Sequence, residues 1–354
     1  MIAPVKLLLW IVSKVYGLVV ALRNRLYDLG ILRSHSFSLP VICIGNITAG
    51  GTGKTPHVIY LVERLASHTP VAVLSRGYLR KSRGFRQVTN DSTTSGAGDE
   101  PVMMAQALPG AKVFVDRNRA NGIREILRSF PDTGTVILDD GFQHRAVKAG
   151  MYILLTDWNR LMTRDRLLPL GMLREPVRAA KRADAVIVTK TPVTASAAER
   201  EEVRRELLAA GAGNAIFFTT MAYGRLSHLF GDAPGEIKRT TSVLLVTGIA
   251  SPAPLKEYLE GLAASVTHLA FPDHHRFTSS DIGKISTAFD AIKGHDKLIV
   301  TTSKDGVRLK EIANIAVHVR EALHYLPVRV QFIDNEEEFL TKVYSYARKD
   351  HQDR

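Results

Sequence analysis

Residues 48–55, TAGGTGKT, have the types and spacing of a loop that holds phosphate. An apolar run precedes them and an apolar helical pattern follows, which is the strand–loop–helix context that a P-loop requires. In such a loop the backbone N–H groups point at phosphate oxygens, and the helix N-terminus adds partial positive charge. The segment therefore predicts a nucleotide site whose contacts are Gly50, Gly51, Thr52, Gly53, Lys54 and Thr55.

Two side chains of this loop indicate what the nucleotide carries. Lys54 can place its charge over the β- and γ-phosphates, and Thr55 can offer a hydroxyl to Mg²⁺. Thr48 stands where the common motif has glycine. The segment VTKTP lacks the Asn and Asp of a guanine-recognition motif, because Thr189 takes the Asn position and no Asp lies two residues after Lys190. We therefore expect ATP rather than GTP.

A second acidic motif, GTVILDDGFQH, ends a run of apolar β-formers in Asp139 and Asp140. A carboxylate at the end of a buried strand beside a P-loop is where a metal-directing aspartate lies. The alternative is a turn or helix cap at the strand end. Adjacent strand residues point in opposite directions, so only one of the two aspartates is expected to bind metal directly, and the sequence does not decide which.

Three further segments carry side chains that could act on a phosphoryl acceptor. GDEP (98–101) ends a polar loop, and Asp99 could face the site or simply cap a helix. FPDHHRFT (271–278) contains His274, which could orient a carboxylate that acts as a general base or could be an ordinary polar loop residue. LLPLGMLREP (167–176) offers Arg174 for anion binding and Glu175 for a metal site.

The elements that must position these residues alternate between strand and helix after residue 34. Several predicted strands are continuous β-branched runs, as in parallel sheets covered on both faces. We predict an α/β fold with a P-loop NTPase-type, doubly wound, mainly parallel sheet and a smaller second α/β domain. Predicted strands are 40–45, 70–75, 111–116, 134–140, 151–157, 183–190, 242–248, 297–303 and 329–334. Predicted domains are 1–34, 35–228 and 229–354, and the second boundary lies in the loose segment 224–241.

The N-terminal segment 1–34 is the most apolar part of the chain. Lys14 interrupts it and no cleavage site follows, so it does not resemble a signal peptide. Ser13 and Lys14 also make it a marginal membrane span. Helical periodicity separates a polar face from an apolar face, and Trp10 and Tyr16 suit the headgroup level. We predict an amphipathic helix that lies in the membrane interface. The alternative is a helix packed on its own domain or on a partner subunit.

The composition narrows the class of partner. The chain has 354 residues, a net charge of +12 and one cysteine, Cys43, so an internal disulfide framework is excluded. CxxC and HExxH motifs are absent, which argues against a structural zinc site. Clusters of Arg and Lys border the motifs above, whereas nucleic-acid-binding motifs are missing. We expect a polyanionic substrate and an anionic membrane surface, with no nucleic acid and no obligate protein partner.

Seven ordered motifs together resemble the tetraacyldisaccharide 4′-kinase family of lipid A biosynthesis. They are GNITAGGTGKTP, SRGY, GDEP, LDDGFQHR, LPLGMLREP, FPDHHRFT and TTSKDGVRL, and the N-terminal RNRLYDLG matches as well. The resemblance covers residues 5–345. It implies transfer of the ATP γ-phosphoryl group to the 4′-hydroxyl of tetraacyldisaccharide 1-phosphate, which yields lipid IVA, at the cytoplasmic face of the inner membrane of Gram-negative bacteria.

The resemblance also implies roles for individual residues. Lys54 and Thr55 become contacts of Mg-ATP, with Lys54 in the catalytic set, and Asp99, supported by His274, becomes the base that takes the sugar hydroxyl proton. Asp139, Asp140 and Glu175, together with Thr55, become the metal neighbourhood. The implied substrate or phosphate contacts are Arg76, Tyr78, Arg119, His144 and Arg174.

One position departs from the family pattern, because Ser303 stands where the family usually has Glu. A contact near Lys304 and Asp305 that depends on that Glu is therefore not expected here. Two other classes of function remain compatible with the P-loop. One is a membrane-bound ATPase switch, although the extra Lys that partition-type ATPases carry before the glycines is missing; the other is a nucleotide-dependent scaffold without catalysis.

Overall fold

The computed structural model describes residues 3–231 and 233–352, and helices and strands alternate along most of these ranges. The α-helices are α1 (Ala3–Asp28), α2 (Lys54–Leu65), α3 (Thr94–Ala97), α4 (Asp99–Ala107), α5 (Arg119–Ser129), α6 (Ala197–Ala209), α7 (Ala253–Glu260), α8 (Ser279–Asp290), α9 (Ser303–Leu309), α10 (Val317–Ala322) and α11 (Glu336–Gln352). The strands are β1 (Val41–Asn46), β2 (Val71–Ser75), β3 (Arg86–Val88), β4 (Lys112–Val115), β5 (Thr135–Asp139), β6 (Met151–Asp157), β7 (Ala185–Thr189), β8 (Ile216–Tyr223), β9 (Ser227–His228), β10 (Ser242–Thr247), β11 (Ser265–Ala270), β12 (Lys297–Thr302), β13 (Leu323–Leu326) and β14 (Val328–Phe332).

The larger sheet has nine strands in the order β14-β8-β7-β6-β1-β5-β2-β4-β3. Its strands are parallel except for β3 and β14, which are the two edges. Both faces are covered, because Val41 and Cys43 of β1 pack in one apolar cluster while Ile42 and Ile44 pack in the other. This two-sided burial explains why the central strands are continuous apolar runs.

The smaller sheet has five strands in the order β11-β10-β12-β13-β9. Its first four strands are parallel and β9 runs antiparallel at the edge. Alternate residues of β10 enter separate clusters, with Leu244 and Val246 on one face and Val243 and Leu245 on the other. The second sheet is therefore also covered on both faces.

The C-terminal end of the chain returns to the larger sheet. Strand β14 pairs with β8, and Phe339 and Val343 of α11 are buried in a core cluster of the larger sheet. The sequence places this segment in the predicted C-terminal domain 229–354, and that domain division stays a prediction. The pairing of β14 with β8 links positions about a hundred residues apart, which local periodicity does not encode. The boundaries at 34/35 and 228/229 stay predictions, and residues 1, 2, 232, 353 and 354 of those domains lie outside the described ranges.

Helix α1 packs its polar side against the body of the protein. The Ser13 hydroxyl donates to the Leu167 carbonyl at 2.9 Å, and the Tyr16 hydroxyl donates to the Arg174 carbonyl at 2.9 Å. Its apolar side is exposed, as Leu8 (61%) and Leu18 (70%) illustrate. By length and composition alone, Val5–Asp28 could cross a membrane. The helix is therefore amphipathic, as the sequence predicts. Its polar face packs on its own domain, as in the alternative, and its apolar face is exposed.

Each strand predicted from the sequence is present, with ends displaced by at most two residues. Five strands were not predicted: β3, β8, β9, β11 and β13. Three of them, β3, β9 and β13, have only two to four residues and carry too little alternation to detect.

Candidate functional site

The carboxyl ends of five parallel strands, β1, β2, β5, β6 and β7, meet at one edge of the larger sheet. Ligands bind at this edge in open α/β sheets, where the strand order reverses around the central strand. Here the edge opens into a cleft of about 3120 Å³, whose lining includes the P-loop, both aspartates after β5, and residues of the smaller sheet. The cleft also reaches Tyr16, Val20 and Arg23 of α1.

The P-loop runs from β1 into α2 and is held by side chains from neighbouring strands. Gly53 precedes α2 with φ of 81°, a left-handed conformation that glycine adopts at low cost. The Asn46 amide donates to Thr52 Oγ1 at 2.8 Å, the Thr189 hydroxyl to the Thr52 carbonyl at 3.0 Å, and Lys190 Nζ to the Gly51 carbonyl at 2.6 Å. These bonds fix two peptide planes of the loop and so set the direction of its N–H groups.

His57 supports the same loop from beneath. Its Nδ1 lies 2.7 Å from the Gly53 carbonyl and its Nε2 lies 3.0 Å from Thr219 Oγ1. The carbonyl can only accept, so Nδ1 carries the proton and Nε2 accepts from the threonine hydroxyl. Burial lowers the pKa of His57 to about 4, although the bond to the Gly53 carbonyl acts in the opposite direction. The imidazole therefore supports the loop in its neutral form.

Lys54 lies between the loop and the acidic residues. Its Nζ is 3.4 Å from Asn46 Oδ1 and 3.6 Å from Asp140 Oδ1. Arg174 approaches the other oxygen of Asp140 at 3.3 Å. Although burial alone would raise the pKa of Asp140, Lys54 and Arg174 hold it below its ordinary value. This carboxylate is thus ionised between two cations.

Asp139 faces a different environment from its neighbour. Strand β5 ends at Asp139, and Asp140 has a positive φ of 48°, so the two side chains diverge. The Ser75 hydroxyl donates to Asp139 Oδ2 at 2.8 Å. Burial, then Glu100 and Asp140, raise the pKa of Asp139 to about 7, against the lowering effects of Ser75 and Lys54.

Two carboxylate oxygens at this edge are fit for a cation. Asp139 Oδ1 and Asp140 Oδ1 are both buried without a hydrogen-bond partner, and Thr55 is the second residue of the adjacent helix α2. Hard oxygen donors of this kind suit Mg²⁺. Glu175 is also buried: its Oε2 pairs with Arg182 at 2.9 Å and accepts from the Asn24 amide at 2.9 Å, while its Oε1 has no hydrogen-bond partner. Within the described ranges, no group of three His, Cys, Asp or Glu side chains is close enough to hold a metal.

Asp99 and His274 come together across the two sheets. Asp99 is the first residue of α4, a helix that packs in a core cluster of the larger sheet, whereas His274 follows β11 of the smaller sheet with a φ of 58°. His274 Nδ1 lies 3.4 Å from Asp99 Oδ2. Lys304 Nζ lies 3.4 Å from His274 Nε2 and Arg308 Nη2 lies 3.5 Å from Nδ1, so each ring nitrogen of His274 faces a cationic donor as well as a carboxylate.

The predicted substrate contacts are distributed around the cleft and differ in exposure. Tyr78 is exposed, and its ring lies edge-on to His274 with centroids 6.0 Å apart. Arg119 is buried and donates to the carbonyls of Asp116 and Asp139. Burial, followed by Arg119 and two further arginines, lowers the pKa of His144 to about 4. Arg76, Tyr78, Arg119, His144 and Arg174 all line the cleft.

The sequence analysis missed three residues that contact the candidate site: His57, Lys190 and Arg308. The Arg308 guanidinium forms an ion pair with Asp99, in which Nε lies 3.0 Å from Oδ2. Lys190 was considered only as part of a segment that lacks a guanine-recognition motif, and His57 was taken as one residue of an apolar helix. A signal existed for Arg308, because it lies within the motif TTSKDGVRL, but its partner is 209 residues away.

Comparison with known proteins identifies relatives along nearly the whole chain. The family model described as tetraacyldisaccharide-1-P 4′-kinase (LpxK) matches residues 5–347. A tetraacyldisaccharide 4′-kinase of Bacteroides thetaiotaomicron is 43% identical, with 96% of this chain and 93% of that protein covered. One of Flavobacterium johnsoniae is 41% identical, with 94% and 95% covered.

A solved structure agrees with these sequence relatives. The crystal structure of LpxK from Aquifex aeolicus, described as an "apo" form in complex with ATP, has a TM-score of 0.75 and 28% sequence identity. The match covers 97% of this chain and 99% of that one. The predicted α/β fold class, with its large, mainly parallel sheet and apolar N-terminal helix, is confirmed.

Proposed function

Because the chain belongs to the tetraacyldisaccharide 4′-kinase family, we propose that it phosphorylates the 4′-hydroxyl of tetraacyldisaccharide 1-phosphate and so forms lipid IVA. Membership makes it an ATP-dependent kinase of lipid A biosynthesis. The proposal concerns the acceptor, the residues that act on it and the place where the reaction occurs.

The observation that carries the proposal is the arrangement of the cleft. The P-loop and the two aspartates line it from the larger sheet, and His274, in contact with Asp99, lines it from the smaller sheet. An ATPase needs only an ordered water at the γ-phosphate, whereas a kinase needs a base held where an alcohol can enter. A carboxylate oriented by an imidazole opposite a P-loop supplies such a base.

The chemistry then assigns one task to each group. Asp99 accepts the proton of the 4′-hydroxyl as its oxygen forms a bond to the γ-phosphorus of ATP. The bond between that phosphorus and the β–γ bridging oxygen breaks, and ADP leaves with the electron pair. Lys54 and the N–H groups of residues 50–54 neutralise charge on the phosphate oxygens, since phosphoryl transfer depends mainly on positioning and electrostatics.

Magnesium fits the donor atoms at this edge of the sheet. Thr55, Asp139 and Asp140 would hold it, because the Oδ1 atoms of both aspartates are buried without a hydrogen-bond partner, with Lys54 Nζ 3.6 Å from that of Asp140. When bound, Mg²⁺ supplies positive charge to the β- and γ-phosphate oxygens. Glu175 pairs with Arg182 through Oε2, and its Oε1 is buried without a hydrogen-bond partner, so Glu175 stays a member of the proposed metal set.

The remaining predicted contacts suit a phosphorylated sugar. Arg174 and Arg76 line the cleft with exposed or half-exposed guanidinium groups, which bind phosphate oxygens with paired donors. Arg119 is buried and bonded to backbone, so it acts through the field at the site more than by direct contact. His144 and Tyr78 add a ring and a hydroxyl to the lining of the cleft.

The proposal is tested by ATP-dependent transfer of labelled phosphate to tetraacyldisaccharide 1-phosphate in detergent micelles. Wild type is compared with Asp99→Asn and with Asp132→Asn, an exposed aspartate away from the cleft. We expect transfer by wild type and by Asp132→Asn, and a loss of at least about 100-fold in Asp99→Asn, with ATP affinity retained. ATP hydrolysis that needs no sugar, without transfer, would favour the ATPase switch instead.

We further propose that α1 lies in the interface of an anionic membrane, at the cytoplasmic face of the inner membrane. Its polar side is tied to the body through Ser13, Tyr16, Arg23 and Asn24, so the helix cannot leave the protein to span a bilayer without breaking these bonds. Its outer side is a continuous apolar surface from Leu7 to Leu22. A helix of this type buries its apolar face at the headgroup boundary.

Membrane docking is tested with substitutions on the outer face alone. The double variant Leu8→Glu/Leu18→Glu should lose binding to phosphatidylglycerol-containing vesicles in a sedimentation assay, because it places two charges on the docked face. Val193→Glu is the matched control, since Val193 is equally exposed (76%) but lies in the loop after β7. Unchanged sedimentation of the double variant would refute the interfacial position of α1.

A further inference from the structure

The carboxylate of Asp99 has a second partner besides His274, and this partner is more deeply buried. Arg308 of α9 is only 4% exposed. Its Nε lies 3.0 Å from Asp99 Oδ2 and its Nη2 contacts the same oxygen. The pair crosses from the smaller sheet, which carries α9, to the helix α4 of the larger sheet.

The Arg308 guanidinium is also held in place by groups other than Asp99. Its Nη1 donates to Asp305 Oδ1 at 2.9 Å and approaches the Gly248 carbonyl at 3.3 Å. Asp305 is fully buried and in turn accepts from the Gly248 backbone N–H at 2.9 Å and from the Thr302 hydroxyl at 2.9 Å. The guanidinium is therefore held at one edge by buried groups of the smaller sheet and presents its other edge to Asp99, a geometry that a flexible surface arginine would not maintain.

The distribution of contacts on Asp99 indicates what this arrangement does. Arg308 and His274 both approach Oδ2, and Oδ1 has no hydrogen-bond partner among the described residues. The two Arg308 nitrogens on Oδ2 fix the plane of the carboxylate and leave its second oxygen available to a hydroxyl group. Arg308 Nε lies 3.0 Å from Oδ2 whereas His274 Nδ1 lies 3.4 Å from it, so Arg308 contributes more to this orientation than His274 does.

We infer that Arg308 is a positioning residue, which holds the carboxylate of Asp99 in the orientation that accepts the proton of the acceptor hydroxyl. The inference rests on the proposed function of Asp99 as the base. It makes the reaction depend on the smaller sheet in a specific way: α9 supplies the group that orients a base carried by the larger sheet.

The chain also has a residue, Glu311, that can serve as a matched control for a contact that only holds the two sheets together. Glu311 lies just after α9 and contacts the backbone N–H of Thr94 and, at 3.1 Å, its hydroxyl, in the short helix that precedes Asp99. It bridges the same two parts of the protein as Arg308 but does not touch Asp99. If Arg308 served only to join them, Glu311→Gln and Arg308→Gln would have similar effects on turnover.

The kinetic experiment compares Arg308→Gln, Arg308→Lys and Glu311→Gln in the transfer assay. We expect Arg308→Gln to lower kcat by about 10- to 100-fold, the range for loss of a charge-assisted hydrogen bond, while KM for ATP changes by less than about twofold. Arg308→Lys, which keeps a charged donor, should recover part of this loss, and Glu311→Gln should stay within about threefold of wild type. In an Asp99→Asn background, Arg308→Gln should lower the residual rate by less than about twofold, because the group it positions is gone.

Three results would overturn the inference: an unchanged kcat in Arg308→Gln, an equal loss in Glu311→Gln, or additive losses in the double variant. If Arg308→Gln fails to fold, Arg308→Lys decides alone, and a kcat equal to wild type with unchanged KM would refute the role. ATP affinity and the melting temperature of each variant identify a folding failure.

A measurement that needs no turnover separates this inference from the proposed function. Histidine-labelled protein is examined by ¹⁵N NMR, and the His274 signal is assigned by its absence in His274→Gln. We expect that signal to move in Arg308→Gln and Asp99→Asn and to stay in place in Glu311→Gln. A wild type that transfers no phosphate would refute the proposed acceptor, while an unmoved His274 signal in Arg308→Gln would refute the positioning role whatever the acceptor is.

Discussion

Mild acid should destabilise the larger sheet through one buried histidine, His57. The ring is 2% exposed, and burial lowers its pKa to about 4 from an ordinary value of 6.5. In the unfolded chain the ring is protonated as the pH falls below 6.5, whereas in the folded protein it stays neutral until about pH 4. The unfolded state therefore binds the extra proton first, and stability that is complete above pH 6.5 is lost progressively as the pH falls toward 4.

The size of the effect follows from the two pKa values. Between about pH 7.5 and about pH 5, the difference in proton binding lowers the free energy of unfolding by about 2 kcal/mol through this group alone. Protonation would also force a second N–H against Thr219 Oγ1, which now donates to Nε2. The loop residue Gly53 accepts from the same ring, so the loss is expected to begin at the P-loop.

The assay compares urea unfolding of wild type and His57→Gln at both pH values. Trp158 packs against the core of the larger sheet, and a Trp10→Phe background leaves it as the only tryptophan, since the chain has two. We expect wild type to lose about 2 kcal/mol more than His57→Gln between about pH 7.5 and about pH 5. His295→Gln, in an exposed loop, should follow the wild type. Parallel pH profiles for wild type and His57→Gln, within about 0.5 kcal/mol, would refute the assignment of a neutral buried imidazole.

Two further predictions concern the P-loop itself. Lys190→Met should weaken ATP binding by about 3- to 10-fold in calorimetry, because it removes the donor to the Gly51 carbonyl. Loss of the charge itself should add little, since the Lys190 side chain is partly exposed. As a control, Lys293→Met in an exposed loop should bind ATP as wild type does. Gly53→Ala should weaken ATP binding by about 10-fold, because alanine costs about 1–2 kcal/mol at a φ of 81° and its Cβ would lie 2.4 Å from Met221 Cε. Wild-type affinity in either P-loop variant would show that the loop geometry does not depend on these constraints.

The sequence predicted the elements of the candidate site well because their signals are local. A glycine-rich loop between a buried strand and a helix, and two aspartates after a strand of β-branched residues, can be recognised within a dozen residues. Parallel strands bring their carboxyl ends to one edge, so Lys54 and Asp140 are expected to lie near each other. In the structure, Lys54 Nζ lies 3.6 Å from Asp140 Oδ1. The physical rule that connects sequence to site here is sheet topology.

The rest of the site depends on contacts between distant segments, which local patterns do not record. Arg308 reaches Asp99 over 209 residues, and β14 joins β8 from beyond the smaller sheet. Glu175 also depends on such contacts. Its Oε2 accepts from Arg182 and Asn24, because a carboxylate that is fully buried needs a charged partner, and its metal role stays a prediction.

Helix α1 connects the proposed membrane surface to the candidate site through its buried side. Tyr16 bonds to the Arg174 carbonyl, Asn24 to the Glu175 carboxylate and Arg23 to the Gln143 carbonyl, all on segments that line the cleft. Deletion of α1 would therefore remove the apolar outer face and also leave Glu175 buried with one partner fewer, so a loss of activity would have two causes. Charges placed on the outer face affect only the first. If such variants keep the bonds of Tyr16 and Asn24 yet lose activity on vesicles and retain it in micelles, the membrane brings substrate to a site that is already formed.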